Sequence, residues 1–266
     1  MEKEKYKELK DQLCSRSDCR RIAMSGEAPY DTLLSIYMQK YQEKTRKTIN
    51  MHRTPHNAAT YYKRYCGGER LYDIARDVDI APTLLARIIL ECIHLDGEEE
   101  LSVKELIRLQ IGEPESIPDA RLSEEVAECV AIDENYSPLS DRIRHGVGEE
   151  YERFLCECLH NLGISFSDET ELRALGYPKT PDVKLALPII VDECMVFWIE
   201  SKASFGDLYM QSKNREQLMG YVNRFGPGLV VYWYGYVTPI HQEKDIVILD
   251  HFPRSAVVMH AQQPHE

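Results

Sequence analysis

Apolar positions recur every three or four residues through the first half of the chain, which predicts helices there. Leu33, Leu34, Tyr37 and Tyr41 share one face of a helix running from Asp31 to Lys47, with Asp31 as its cap after Pro29. Tyr61, Tyr62 and Tyr65 continue the pattern. Leu71, Ile74, Ala75 and Val78 make a further helix. A break at Asp79-Ile80-Ala81 follows, then Pro82 in a first turn and Leu84, Leu85, Ile88 and Ile89. Helix, tight turn and second apolar helix is the outline of a helix-turn-helix, with Thr83 and Arg87 as the polar readers. Residues 96–120 are acidic, carry Pro114 and Pro118, and read as a boundary or a connection.

From Gly148 the pattern changes. Tyr151, Phe154, Leu155, Cys158, Leu159 and Leu162 form one helix face, closed at Gly163. Ile164 to Phe166 reads as a short strand, Glu169 to Leu175 as a helical turn or two stopped at Gly176. Val183 to Val191 and Met195 to Ala203 read as two long strands joined by Asp192-Glu193-Cys194, the first irregular at Pro188. Asn214 to Phe225 predicts a helix ended by Gly226-Pro227-Gly228. Leu229 to Tyr234 predicts a strand buried on both faces, and Ile246 to Leu249 another. The order implies an α+β or α/β layer fold behind a helical domain with helix-turn-helix character. We divide the chain at residues 1–135 and 136–266.

Composition narrows the classes. With 266 residues, 43% hydrophobic and 29% charged, the chain has a globular balance. No apolar run is long enough to span a bilayer, and Met1-Glu2-Lys3-Glu4-Lys5 lacks a signal-peptide core. An intracellular protein of nucleus or cytoplasm is expected. Eight cysteines without a Cys-x-x-Cys pair suggest reduced thiols rather than disulfides or zinc. The net charge of −12 opposes nucleic-acid binding. The acid is concentrated in Glu98-Glu99-Glu100 and residues 113–135. Lys40, Lys44, Arg46, Lys47, Arg53, Lys63 and Arg64 meet only Glu43 between them and interleave with tyrosines. That segment is either a basic face for nucleic acid or a solvated helix face with packed tyrosines.

The candidate chemistry lies at the ends of the two long strands. Thr180-Pro181-Asp182 opens the first, and Glu200-Ser201-Lys202 ends the second. Side chains alternate along a strand, so Glu200, Lys202 and Trp198 share one face and Ser201 points to the other. A hairpin brings Asp182 close to Glu200. Two such carboxylates repel, and a divalent cation with oxygen ligands relieves them. Lys202 could orient or deprotonate an attacking water, or stabilise charge developing on a phosphate. The Ser201 carbonyl is a further candidate ligand. Glu152 flanks the apolar face of its helix, where a carboxylate can reach over the sheet; Glu150 flanks the other side. Gln217 and Tyr221, four residues apart, are neighbours on a helix. Gln217 could donate to a phosphate, and Tyr221 could stack or donate.

Asp182 with Glu200-x-Lys202 resembles the PD-(D/E)XK superfamily of restriction-endonuclease-like nucleases. Gly148-x-x-x-Glu152 resembles the helix preceding that motif, and Gln217-x-x-x-Tyr221 the corresponding motif of RecB-like members. The runs Lys179 to Asp182, Trp198 to Asp207, Asn223 to Val230 and Tyr232 to Gly235 resemble the codanin-interacting nuclease family, linked to congenital dyserythropoietic anaemia type I. So does the helical segment around Tyr61-Tyr62, Tyr65 and Ala81 to Glu91. The resemblance implies a restriction-endonuclease-like core and Mg²⁺ or Mn²⁺ bound by Asp182, Glu200 and Ser201. It implies catalysis by Asp182, Glu200, Lys202, Glu152, Gln217 and Tyr221. It also implies cleavage of DNA, possibly branched, and a complex with codanin in nucleus and cytoplasm. The alternative it leaves is a weak or inactive nuclease fold that serves as codanin's binding partner.

Overall fold

The computed structural model describes residues 1–94, 100–239, 243–253 and 257–258. Two short helices, α1 (Lys3–Gln12) and α2 (Arg16–Met24), precede the long α3 (Tyr30–His52). Then follow α4 (Pro55–Cys66), α5 (Leu71–Asp77), α6 (Pro82–His94), α7 (Glu100–Gly112), α8 (Ala120–Ile132) and the long α9 (Pro138–Asn161). Strand β1 (Phe166–Asp168), α10 (Glu169–Ala174), β2 (Val183–Val191), β3 (Cys194–Lys202), α11 (Leu208–Phe225), β4 (Gly228–Tyr232), β5 (Ile246–Leu249) and β6 (Val257–Val258) complete the order. The mixture of helices and sheet is the α+β class expected. The acidic stretch read as a connection holds α7 and a 3₁₀ turn at Pro114–Ser116. Glu98 and Glu99 lie outside the described residues.

Two compact units emerge: Met38–His145, and Met1–Tyr37 together with Gly146–Glu266. The first is helical. Its central element is α6, whose Thr83, Leu85, Ala86, Ile88, Ile89 and Leu90 are all buried. α5 and α6 do make a helix, a turn with Asp79 at φ 59°, and a helix. The two polar readers are placed differently. Thr83 is fully buried with its amide donating to Asp133 at 3.1 Å, and Arg87 is half-buried. α6 is amphipathic: its apolar face is buried, whereas Leu84, Arg87, Glu91 and His94 share a half-buried face.

Four cations of the basic segment are paired, three of them with acids from outside it. Lys44 pairs with Asp79 at 2.5 Å, Lys47 with Glu43 at 2.7 Å and Arg53 with Glu91 at 2.7 Å. Arg64 is held by both Glu69 and Asp77. Tyr61 and Tyr65 are buried, and the Tyr61 hydroxyl meets Nδ1 of buried His52 at 2.9 Å.

In the other unit the strand order is β1-β2-β3-β4-β5, with β6 pairing β2. β1, β2 and β3 are antiparallel neighbours, whereas β3, β4 and β5 run parallel. Asp192 and Glu193 both take positive φ (48° and 64°), which turns the β2–β3 hairpin with the twist its strands need. The ladder slips between Lys184 and Ile189, across Pro188, because proline cannot donate to it. One face of the sheet packs Val183, Ile199, Leu229 and Val231 against Leu155 and Leu159 of α9. The opposite face packs Trp198, Val230 and Tyr232 against Leu218 and Tyr221 of α11. β4 is buried throughout, as its apolar run predicts. Gly228 is required there: a Cβ on it would lie 2.0 Å from the Trp198 ring.

The first 37 residues, grouped in the sequence with the helices that follow, share a core with the sheet unit. Leu9, Leu13, Cys19, Ile22, Leu33 and Ile36 bury against Phe205 and Val237. Tyr6 stacks on Phe205 with centroids 5.6 Å apart, and its hydroxyl donates to Asp207 at 2.5 Å. Asp207 in turn caps α11 by accepting the Met210 amide. These contacts join residues about two hundred positions apart, a distance that no local pattern encodes.

Candidate active site

Strand register builds the site. Val183 pairs with Ile199, so Asp182 and Glu200 stand next to each other at the open end of the β2–β3 ladder. Asp182 accepts the Ser201 amide at 2.7 Å. Glu200 is 2% exposed, and its Oε1 accepts the Lys202 ammonium at 2.6 Å. The alternation holds as predicted: Trp198 packs on the α11 side, whereas the Ser201 hydroxyl accepts the Trp233 indole N–H at 2.8 Å on the α9 side. Trp233 is fixed there by the rings of Tyr151 and Phe154, 5.4 and 5.3 Å away.

The electrostatics are unbalanced. Burial first, then the neighbouring Glu200 carboxylate, pushes the Asp182 carboxyl well above its ordinary value. Burial likewise pushes Glu200 up, against the pull of Lys202. Burial would lower Lys202, but Glu200 and Asp182 outweigh it and the ammonium is held more firmly than usual. The second Glu200 oxygen, Oε2, is buried without a hydrogen-bond partner. Such an oxygen costs free energy unless something cationic or a donor meets it.

The remaining candidates divide. Glu152 of α9 is exposed at its residue surface, yet partial desolvation and the fields of Glu169 and Glu200 raise its carboxyl. Glu150 instead acts on Tyr234. Gln217 donates to the Tyr221 hydroxyl at 2.7 Å and lies 3.4 Å from Glu200 Oε1. Tyr221 is buried and donates to the Thr180 carbonyl at 2.7 Å. These two residues therefore form a chain from Glu200 through α11 to the loop that presents Asp182. Sequence reasoning missed Glu169. It opens α10 behind the Asp168 cap, accepts the Thr180 hydroxyl at 3.2 Å, and adds to the field on Glu152 and Glu200. An acid in the first turn of a short helix looks like a helix-dipole residue, so its sequence context gave no signal of this neighbourhood.

The donor chemistry fits a hard divalent cation: two carboxylates raised by burial, one with an orphaned buried oxygen. Among the described residues no three His, Cys, Asp or Glu side chains are grouped to hold a metal ion. All eight cysteines are free thiols.

Comparison with known proteins follows the same residues. A family profile described as "Protein of unknown function TPD sequence-motif" matches residues 118–252, which include Thr180-Pro181-Asp182. The chain is similar to CDAN1-interacting nuclease 1 of Homo sapiens, 41% identical over 238 residues covering 86% of this chain and 85% of that protein. Its similarity to the protein of the same name in Danio rerio is 40% over 235 residues, covering 85% and 78%. For Bos taurus it is 41% over 238 residues, covering 86% and 85%. No solved structure matches significantly.

Proposed function

The chain belongs to the family of the CDAN1-interacting nuclease 1 proteins, and from that premise we propose that it is a metal-dependent phosphodiesterase of the PD-(D/E)XK type, acting on DNA and working in complex with codanin. One observation carries the reading: the buried, unpartnered Oε2 of Glu200 beside the raised Asp182 carboxyl and the Lys202 ammonium. A buried carboxylate oxygen without a donor, beside a second raised carboxyl, is suited to meet a bound cation.

Asp182 and Glu200 would hold Mg²⁺ or Mn²⁺, which when bound polarises a phosphate and makes water a better nucleophile. Lys202 stays protonated under the field of Glu200 and Asp182. Its role is thus to stabilise negative charge developing on the phosphate, not to take a proton. Glu152, with its raised affinity for protons, is suited to receive the proton of the attacking water. Gln217 and Tyr221 position Glu200 relative to the Asp182 loop through their hydrogen-bond chain. Codanin comes from the relatives' name, and the interaction itself needs no catalysis.

The test is incubation of the purified protein with labelled linear and branched DNA in Mg²⁺ or Mn²⁺. Cleavage is expected from the native chain, with losses of at least a hundredfold in Glu200→Gln and Lys202→Met. Cleavage indifferent to both substitutions would refute the site. Codanin capture that persists in Glu200→Gln, with no substrate cut by the native chain, would leave only the binding role.

A further inference from the structure

We propose that an open cleft beside the carboxylates binds a single, unpaired nucleic-acid strand through its phosphates and a stacked base. The proposal rests on the nuclease reading above and names the form of strand it would act on. The cleft measures about 430 Å³, and Thr180, Gln217 and Tyr221, which tie the carboxylate site together, are part of its lining.

Its lining carries three cations, Arg173, Lys179 and Lys213, against two acids, Glu169 and Glu216. Lys179 and Lys213 line it, both are exposed, and neither forms an ion pair among the described residues. Arg224 lies beside them, donating to the Lys179 carbonyl at 2.9 Å. Of the two lining acids, Glu169 is already met by Arg173 at 2.7 Å, which leaves Glu216. On a chain of net charge −12, a local excess of exposed cations next to a candidate phosphodiesterase centre favours an anionic ligand. In the richer basic run of α3 and α4, Lys44, Lys47, Arg53 and Arg64 are matched by carboxylates, which leaves Arg46 and Lys63 for comparison.

Tyr177, the residue just ahead of Pro178 in the lining, selects the strand form. Tyr177 is 36% exposed, and its ring lies 5.7 Å from that of Phe225. The Arg224 guanidinium sits 5.8 Å from the Phe225 ring. Cations that track phosphates next to an exposed aromatic are the grammar of single-strand binding, because an unpaired base offers a face to stack. A duplex keeps its bases stacked on one another and offers Tyr177 none. Pro178 and Pro181 restrict the backbone between Tyr177 and Asp182, so a strand gripped at Lys179 is held near Asp182 at little entropic cost.

The experiment measures fluorescence anisotropy of a labelled oligothymidylate, in EDTA so that no cleavage occurs, across a series of salt concentrations. The native chain should bind it at least tenfold more tightly than a duplex of equal length. Lys179→Glu with Lys213→Glu should weaken binding more than tenfold and flatten the log–log salt slope by about 1.4, the contribution of two phosphate contacts on a single strand. Tyr177→Ala should weaken it about tenfold, while Arg46→Glu with Lys63→Glu should change it less than twofold. Thermal melting of each variant checks the fold, and Lys179→Gln with Lys213→Gln replaces the reversal if that variant melts early. Equal or tighter binding of duplex, or a double reversal that leaves affinity and slope unchanged, overturns the proposal. Strand binding without cleavage in Mg²⁺ would remove the nuclease reading and leave this one intact. Cleavage that survives the double reversal would remove this one alone.

Discussion

Two charged regions of this chain behave in opposite ways. The α3–α4 segment carries many cations, yet carboxylates from Glu43, Asp79, Glu91, Glu69 and Asp77 meet four of them near the surface. The β2–β3 end carries three charges, and two of them are carboxylates raised by burial. What separates the regions is desolvation, not charge number. A solvated pair contributes little, whereas buried charges with an unpaired oxygen carry an uncompensated desolvation cost.

The difference can be broken from either side. The largest effect is expected from Lys202→Met, which leaves buried Glu200 without its cation. It should cost roughly 3 kcal/mol at pH 8 by chemical denaturation and far less at pH 5, where Glu200 can take up a proton. An equal loss at both pH values would show that packing, not charge, holds the pair. Asp182→Asn should act in the other direction, stabilising by about 1–2 kcal/mol at pH 8. The sign follows from a folded-state carboxyl raised above its ordinary value. Its stability is fully present below that value and declines as pH rises toward the folded one. The gain should therefore shrink toward zero by pH 4, and a pH-independent gain would contradict the direction assigned to Asp182. Tyr221→Phe removes the donor to the Thr180 carbonyl and should cost about 1 kcal/mol, read as a lower thermal midpoint. The smallest effect belongs to Arg53→Ala, whose exposed pair with Glu91 should be worth under about 0.5 kcal/mol. A loss as large as that of Lys202→Met would erase the distinction between the regions.

Much of the sheet was legible. The apolar runs from Val183 and Met195, the turn at Asp192-Glu193 and the irregularity at Pro188 appear where the pattern put them. Period-two alternation also assigned Glu200 and Ser201 to opposite faces before any coordinates. Helix starts were less legible. α11 begins at Leu208 because Asp207 caps it, and α9 begins ten residues ahead of Gly148, where the apolar face is weak. Thr83 shows the limit from the other side: as a letter it is a polar reader, but it falls on the buried face of α6.

The order of residues alone determined the strands, their faces and the identity of Asp182, Glu200 and Lys202 as a set, because alternation and spacing are local properties of a chain. Only the tertiary structure decided which charges are desolvated. It gave Arg53 and Arg64 their carboxylates, left Oε2 of Glu200 without a partner, added Glu169, and joined Leu9 and Tyr6 to Phe205 and Asp207. Burial depends on what packs from far along the chain, and the energy of a charge depends on burial more than on its neighbours in sequence.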